Sequence, residues 1–109
     1  MRIWDLPPKI LCTKHLLGEH RELHAIWTII TKKKKGYSKH PETLRWIGKT
    51  KALYLRHEAL VKEMKQRGYI HRSPLDNNLA TGESIQRTFI NSTVEQRNIL
   101  REKKCKCIV

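Results

Sequence analysis

Leu16, His20, Leu23, Trp27 and Ile30 recur at i, i+4, i+7, i+11 and i+14, which is the spacing of one buried face of an α-helix. No stretch of the chain shows the apolar–polar alternation of a surface strand, so its core has to be built by helices packing on helices. Thr13 is expected to cap this first helix, which runs to about Thr31. Lys32-Lys33-Lys34-Lys35 and Gly36 then end it in a basic loop. Pro41, placed for a first helical turn, opens a second helical region with apolar positions at Leu44, Ile47, Tyr54, Leu60, Val61 and Met64, and Gly68 after Arg67 closes it. Tyr69 to Thr81, with Pro74, Asp76, Asn77 and Asn78, reads as loop. A third helix is expected from about Glu83 to Lys103, carrying Ile85, Phe89, Val94, Ile99 and Leu100. Pro7 and Pro8 close an extended amino-terminal arm.

With 109 residues the chain is one domain's worth of core. The expectation is an all-α fold: a single compact domain over residues 1–109, with three main helices and the arm packed among them. The basic tail, about 103–109, is expected either to be disordered or to bind phosphates.

Charge narrows the partners. Twenty-three Lys and Arg against ten Asp and Glu give a net charge of +13 and a pI near 10.1, a surface that attracts polyanions. Four adjacent lysines exceed what helix capping needs, so Lys32, Lys33, Lys34 and Lys35 are assigned to contact with the phosphates of a polyanion. No apolar run reaches the roughly 20 residues of a membrane span, and MRIWDLPPK lacks a signal-peptide core. The protein is expected in the cytoplasm, associated with the nucleoid, without a membrane partner and as a monomer. Gly48-Lys49-Thr50 resembles the end of a phosphate-binding P-loop, but Thr43 stands where its first glycine belongs and no strand precedes it. No nucleotide cofactor is expected.

The start of the chain carries the chemistry. An α-amine titrates near pH ~8 and a lysine near ~10.4, so at neutral pH an amino terminus offers far more of the uncharged nucleophile. Arg2 is bulky enough to be expected to keep Met1 in place. At about 100° per residue Glu22 and His15 fall close together on the first helix, while Arg21 points to the solvent side. Gly18 between them is expected to permit close approach of another backbone.

Met1, Arg2, His15, Arg21 and Glu22, with the segment HLLGEHREL, stand in the order and at the spacings found in the pyrimidine-dimer DNA glycosylase family, which the chain resembles. The resemblance resumes at Pro41 and runs through GKTKALYLRHEALVKEMKQRGY, covering about two-thirds of the chain. It implies a DNA repair glycosylase with abasic-site lyase activity on duplex DNA, acting through an imine formed by the α-amine. Met1 and Glu22 would be catalytic, and Arg2, His15 and Arg21 would bind substrate. The family's aromatic-rich carboxyl end is replaced here by REKKCKCIV, with no aromatic after Phe89. Trp4 and Trp46 are candidates for stacking at a lesion, or for the core. Two other readings stand beside this one: a glycosylase/lyase for another damaged base or for abasic sites only, and a non-enzymatic basic nucleic-acid-binding module. The second explains the charge but leaves the terminal constellation a coincidence.

No metal or other cofactor is expected. Cys105-x-Cys107 lacks a completing pair in the sequence, and Cys12 stands alone. His20 and His24 have a zinc-compatible i, i+4 spacing but no evident third ligand, and His20 lies on the apolar stripe. The six histidines look scattered.

Overall fold

In the computed structural model, which describes residues 2–109, the chain is all-α, with no strand among the described residues. Helix α1 spans Thr13–Thr31, α2 Pro41–Leu44, α3 Thr50–Gln66 and α4 Thr93–Glu102, with 3₁₀ turns at Pro8–Ile10 and Asn77–Leu79. The three main helices are α1, α3 and α4. α1 and α3 form the principal packed pair. Between them, Leu16, Leu23, Ile26, Leu53 and Leu60 are fully buried together with Leu100 of α4 and Ile3 and Leu11 of the amino-terminal region.

α1 has the expected length, but its amino cap is Cys12 rather than Thr13. The second helical region is broken. α2 makes one turn, Gly48 adopts φ +77°, and α3 begins at Thr50. No side chain caps α3; instead the N–H groups of Lys51 and Ala52 donate to the carbonyls of Thr81 and Glu83. That seals the first turn after Gly48-Lys49-Thr50 with protein carbonyls, leaving those donors unavailable to a phosphate. The 81–83 segment fits only because Gly82, at φ +79°, has no side chain: a Cβ there would lie 2.0 Å from the Gly48 carbonyl oxygen.

The third helix starts ten residues later than expected. Residues 83–91 instead run as a non-helical strap across the α2–α3 corner. Gln86 Nε2 donates to the Arg45 carbonyl, Lys49 Nζ donates to Gln86 Oε1, and Arg45 Nη1 donates to the Thr88 carbonyl. Ser92 and Glu95 then form a reciprocal capping box that starts α4.

The arm is where the fold is most unusual. Residues 3–6 belong to no helix or strand, and buried or half-buried side chains take up their backbone groups. Ile3 N–H donates to Glu42 Oε1, Trp4 N–H to Glu19 Oε1 and Asp5 N–H to Gln96 Oε1. Arg45 Nη2 donates to the Ile3 carbonyl and Arg56 Nη1 to the Leu6 carbonyl. The same arginines pair with those carboxylates, Arg45 with Glu42 and Asp5, Arg56 with Glu19 at 2.6 Å. Each charge is thus removed from water only with its lone pairs and protons engaged. Burial raises the Glu19 carboxyl above the ordinary range, opposed by the Arg56 guanidinium and the Trp4 N–H.

Residues 103–109 also fold back. Ile108 N–H donates to the Ile10 carbonyl at 2.7 Å, and Cys105, Cys107 and Val109 pack against the core. This differs from a disordered tail and has a local cause: the apolar atoms of Cys-x-Cys-x-Val alternate toward the protein, while Lys104, Lys106 and Ile108 point out.

Candidate active site

The arm delivers Arg2 to the edge of α1. There Arg2, Trp4, Lys14, His15, Gly18, Glu19, Glu22 and Lys103 line a hollow of about 290 Å³. Arg2 is fixed from two sides, by Nη1 donating to Asn91 Oδ1 at 3.1 Å and by its guanidinium lying 4.9 Å from the Trp4 ring centroid. The His15 ring stands edge-on to Trp4 at 5.9 Å. Burial, together with Lys103 and Lys14, holds the His15 imidazole below its ordinary pKa, which favours the uncharged ring.

The three glutamates of the first half of the chain divide by role. Glu19 and Glu42 are buried and committed to the arm. Glu22 is half-buried and lines the hollow. Gly18 does not receive another backbone as expected: a Cβ there would meet nothing within 4 Å, and the residue forms open floor instead. Of the predicted site residues, Arg2, His15 and Glu22 come together here. Arg21 is exposed and is not part of the lining, and Met1 lies outside the described residues. Trp4 and Trp46 are both buried. Only Trp4 reaches the hollow, while Trp46 donates its Nε1–H to Glu42.

Lys32–Lys35 are exposed at the far end of α1, starting about 15 Å of helix rise beyond Glu22. Sequence reasoning missed a closer basic surface. A groove of about 1020 Å³ shares Lys14, His15 and Lys103 with the hollow and adds Lys9, Arg67, Lys104 and Lys106. Three of these lysines belong to the tail, so its folding back is what brings them beside the hollow.

The sequence reading of scattered histidines and unaccompanied cysteines is overturned. Cys12, His15, Cys105 and Cys107 cluster at one place on α1, and His20, His24, His57 and His71 at another; within each group the ligand atoms all lie within 4.8 Å of one another. Burial pushes the Cys107 thiol up to about 12. Burial and the neighbouring imidazoles lower His20 to about 4 and also lower His24 and His57.

A model of the family described as pyrimidine dimer DNA glycosylase matches residues 1–77. The chain belongs to that family. The matched span contains the arm, α1, α2 and α3, and with them every lining residue of the hollow except Lys103. No curated protein and no solved structure matches the chain. For a DNA glycosylase family the substrate is DNA, in keeping with the basic groove that adjoins the hollow. Among the described residues no helix is long and apolar enough to cross a membrane.

Proposed function

We propose that the protein is a bifunctional glycosylase and abasic-site lyase acting on pyrimidine dimers in duplex DNA, as a monomer, with the α-amine of Met1 as nucleophile and Glu22 as its carboxylate partner. The observation that carries this reading is the arm itself: buried side chains hold it in one path, and that path brings Arg2 beside Glu22 and His15.

A base within the duplex is out of reach of an amine, so the damaged nucleotide is unstacked and turned out, at a cost that is smallest where damage has already weakened stacking. Arg2, Arg21 and the lysines of the groove, with Lys32–Lys35 further along the duplex, hold phosphates of the distorted strand. The uncharged Met1 amine attacks C1′ of the sugar. The C1′–N bond breaks, the base leaves with the bonding pair, and the Glu22 carboxylate faces the positive charge that develops on the sugar. The amine gives up a proton, the C1′–O4′ bond breaks as the nitrogen lone pair forms the C=N bond, O4′ takes up a proton to become a hydroxyl, and a protonated imine joins Met1 to C1′. Removal of a C2′ proton, assisted by Glu22, expels the 3′ phosphate by β-elimination and breaks the strand. Hydrolysis of the imine frees the amine. His15, uncharged, positions the sugar or phosphate by hydrogen bonding.

The test is borohydride reduction of the untagged protein on a duplex with one cyclobutane thymine dimer and, separately, on an abasic duplex, followed by peptide mass mapping. A reduced adduct on Met1 with both duplexes is the expected result. An adduct with the abasic duplex alone removes the dimer from the proposal and keeps the nucleophile. No adduct with either, from protein that binds DNA, overturns the imine mechanism.

A further inference from the structure

Cys12 caps α1, His15 lies in its first turn, and Cys105 and Cys107 lie on the returning tail. Cys12 Sγ is 3.1 Å and Cys107 Sγ 3.5 Å from the same atom, His15 Nδ1. Around a tetrahedral zinc ion with bonds of about 2.3 Å to sulfur and about 2.0 Å to nitrogen, neighbouring donors stand roughly 3.3–3.8 Å apart. The four donor atoms, none more than 4.8 Å from another, need only small side-chain adjustments to reach that arrangement. Three thiolates and one imidazole leave no open position, which is the donor set of a structural site. It favours a borderline or soft divalent ion over magnesium, calcium or manganese. We infer that Cys12, His15, Cys105 and Cys107 form a closed zinc site that fastens the carboxyl-terminal tail to the start of α1, beside the candidate active site. The site connects residues 95 apart in the chain, as the contact from Cys12 N–H to Cys107 Sγ already does. It also gives His15 a fixed ring orientation at the wall of the hollow.

A separate set of distances carries a second site of the same kind. His20 and His24 lie one turn apart on α1, His57 on α3 and His71 on the following loop. Their Nε2 atoms meet in pairs, His24 with His57 at 3.2 Å and His20 with His71 at 3.1 Å, close to the roughly 3.3 Å between imidazole nitrogens on one tetrahedral zinc ion. His57 is wholly buried and its other nitrogen, Nδ1, lies 3.0 Å from the Glu58 carboxylate. A carboxylate in that position fixes the proton on Nδ1 and turns Nε2 toward a metal as a lone pair. This zinc joins α1, α3 and the 69–81 loop.

One experiment reads both. The untagged full-length protein is purified from zinc-supplemented cells, its metal content is measured by plasma mass spectrometry, and the zinc-depleted protein is titrated with cobalt(II) alone. The expected result is one zinc per site as isolated, and tetrahedral cobalt absorption with a thiolate-to-cobalt charge-transfer band. Cys105→Ser with Cys107→Ser loses one metal equivalent and that band; His71→Gln loses the other equivalent and keeps the band. The wild-type cobalt spectrum reports on the sulfur site even where a variant does not fold. Protein that is metal-free as isolated and gives no charge-transfer band overturns the sulfur site, as does a non-reducing mass that shows a disulfide in freshly isolated protein. A metal equivalent that survives His71→Gln alongside the sulfur-bound one overturns the histidine site.

Discussion

The amino-terminal arm and the carboxyl-terminal tail are both non-helical segments laid against helices, and they are held by different chemistry. The arm's backbone is read by five side chains drawn from every helix: Glu19, Glu42, Arg45, Arg56 and Gln96. These contacts are built into the protein and need no added component. The tail's backbone is read by one charged side chain, Arg101 Nε donating to the Val109 carbonyl, and makes one bond to the arm's end, from Ile108 N–H to the Ile10 carbonyl; its remaining polar anchorage is mostly sulfur and imidazole. The segment that brings Arg2 to the hollow is thus fixed by the fold itself, whereas the one that supplies lysines to a groove is fastened at a few points.

Breaking the arm has the largest expected effect. Glu42→Ala leaves the buried Arg45 guanidinium with Asp5 as its one remaining carboxylate partner and takes the acceptor from the N–H groups of Ile3 and Trp46, which costs about 3 kcal/mol for the broken buried pair. Urea unfolding measures the loss, and amide exchange at Ile3 shows whether the arm is released. A loss below about 1 kcal/mol would mean that the arm is no better held than the tail.

Glu22→Gln separates aim from stability. The side chain lines the hollow without supporting the arm, so excision should fall by roughly 10²–10⁴-fold while the unfolding midpoint hardly moves. Single-turnover cleavage and urea unfolding on the same preparation test this, and unchanged cleavage would remove Glu22 from the chemistry.

Deleting residues 105–109 from zinc-depleted protein should cost about 1–2 kcal/mol, the scale of a few backbone and packing contacts. With zinc present the intact chain should gain thermal stability that rises with the logarithm of free zinc above its dissociation constant, and the deleted chain should lose that part of the response from the sulfur site. Equal responses would place the tail's fastening elsewhere.

The smallest effect concerns the entry to α4. The backbone N–H and the hydroxyl of Ser92 hold the Glu95 carboxyl below its ordinary value of 4.5. A depressed carboxyl pKa stabilises the fold above the unfolded value and ceases to do so as pH falls through the folded one. Glu95→Gln should therefore flatten a slight loss of stability below about pH 4.5 and do little at pH 7, as thermal melts across pH 3–7 would show.

Much of this was legible because it is local. The period of Leu16, Leu23 and Trp27 located α1 from Thr13 to Thr31, and Arg67-Gly68 located the end of α3. The expected face was slightly rotated: Glu19 and Ile26 are buried while His20 is only half-buried, because the arm and the other histidines pack where apolar neighbours were assumed. The helix break at Gly48 and the late start of α4 depend on the strap over Arg45 and Lys49, contacts across some 40 residues that periodicity does not encode. The capping box Ser92-x-x-Glu95 was present in the sequence as a start signal and marks α4 better than its apolar residues do. The clusters were hidden for the same reason, since His71 reaches His20 across 51 residues and Cys107 reaches His15 across 92. Cys12-x-x-His15 and Cys105-x-Cys107, set side by side, are the half-sites that a reading for paired ligands would have joined.

The bond from Asp5 to Gln96 spans 91 residues. During synthesis the arm leaves the ribosome long before the glutamine that receives it, and closing so long a loop comes late in folding. A nascent or truncated chain therefore carries its amino-terminal residues without the last of the contacts that direct them. Synthesis through α4 is what supplies the Asp5 N–H with its acceptor, so the arm and the last helix are completed together.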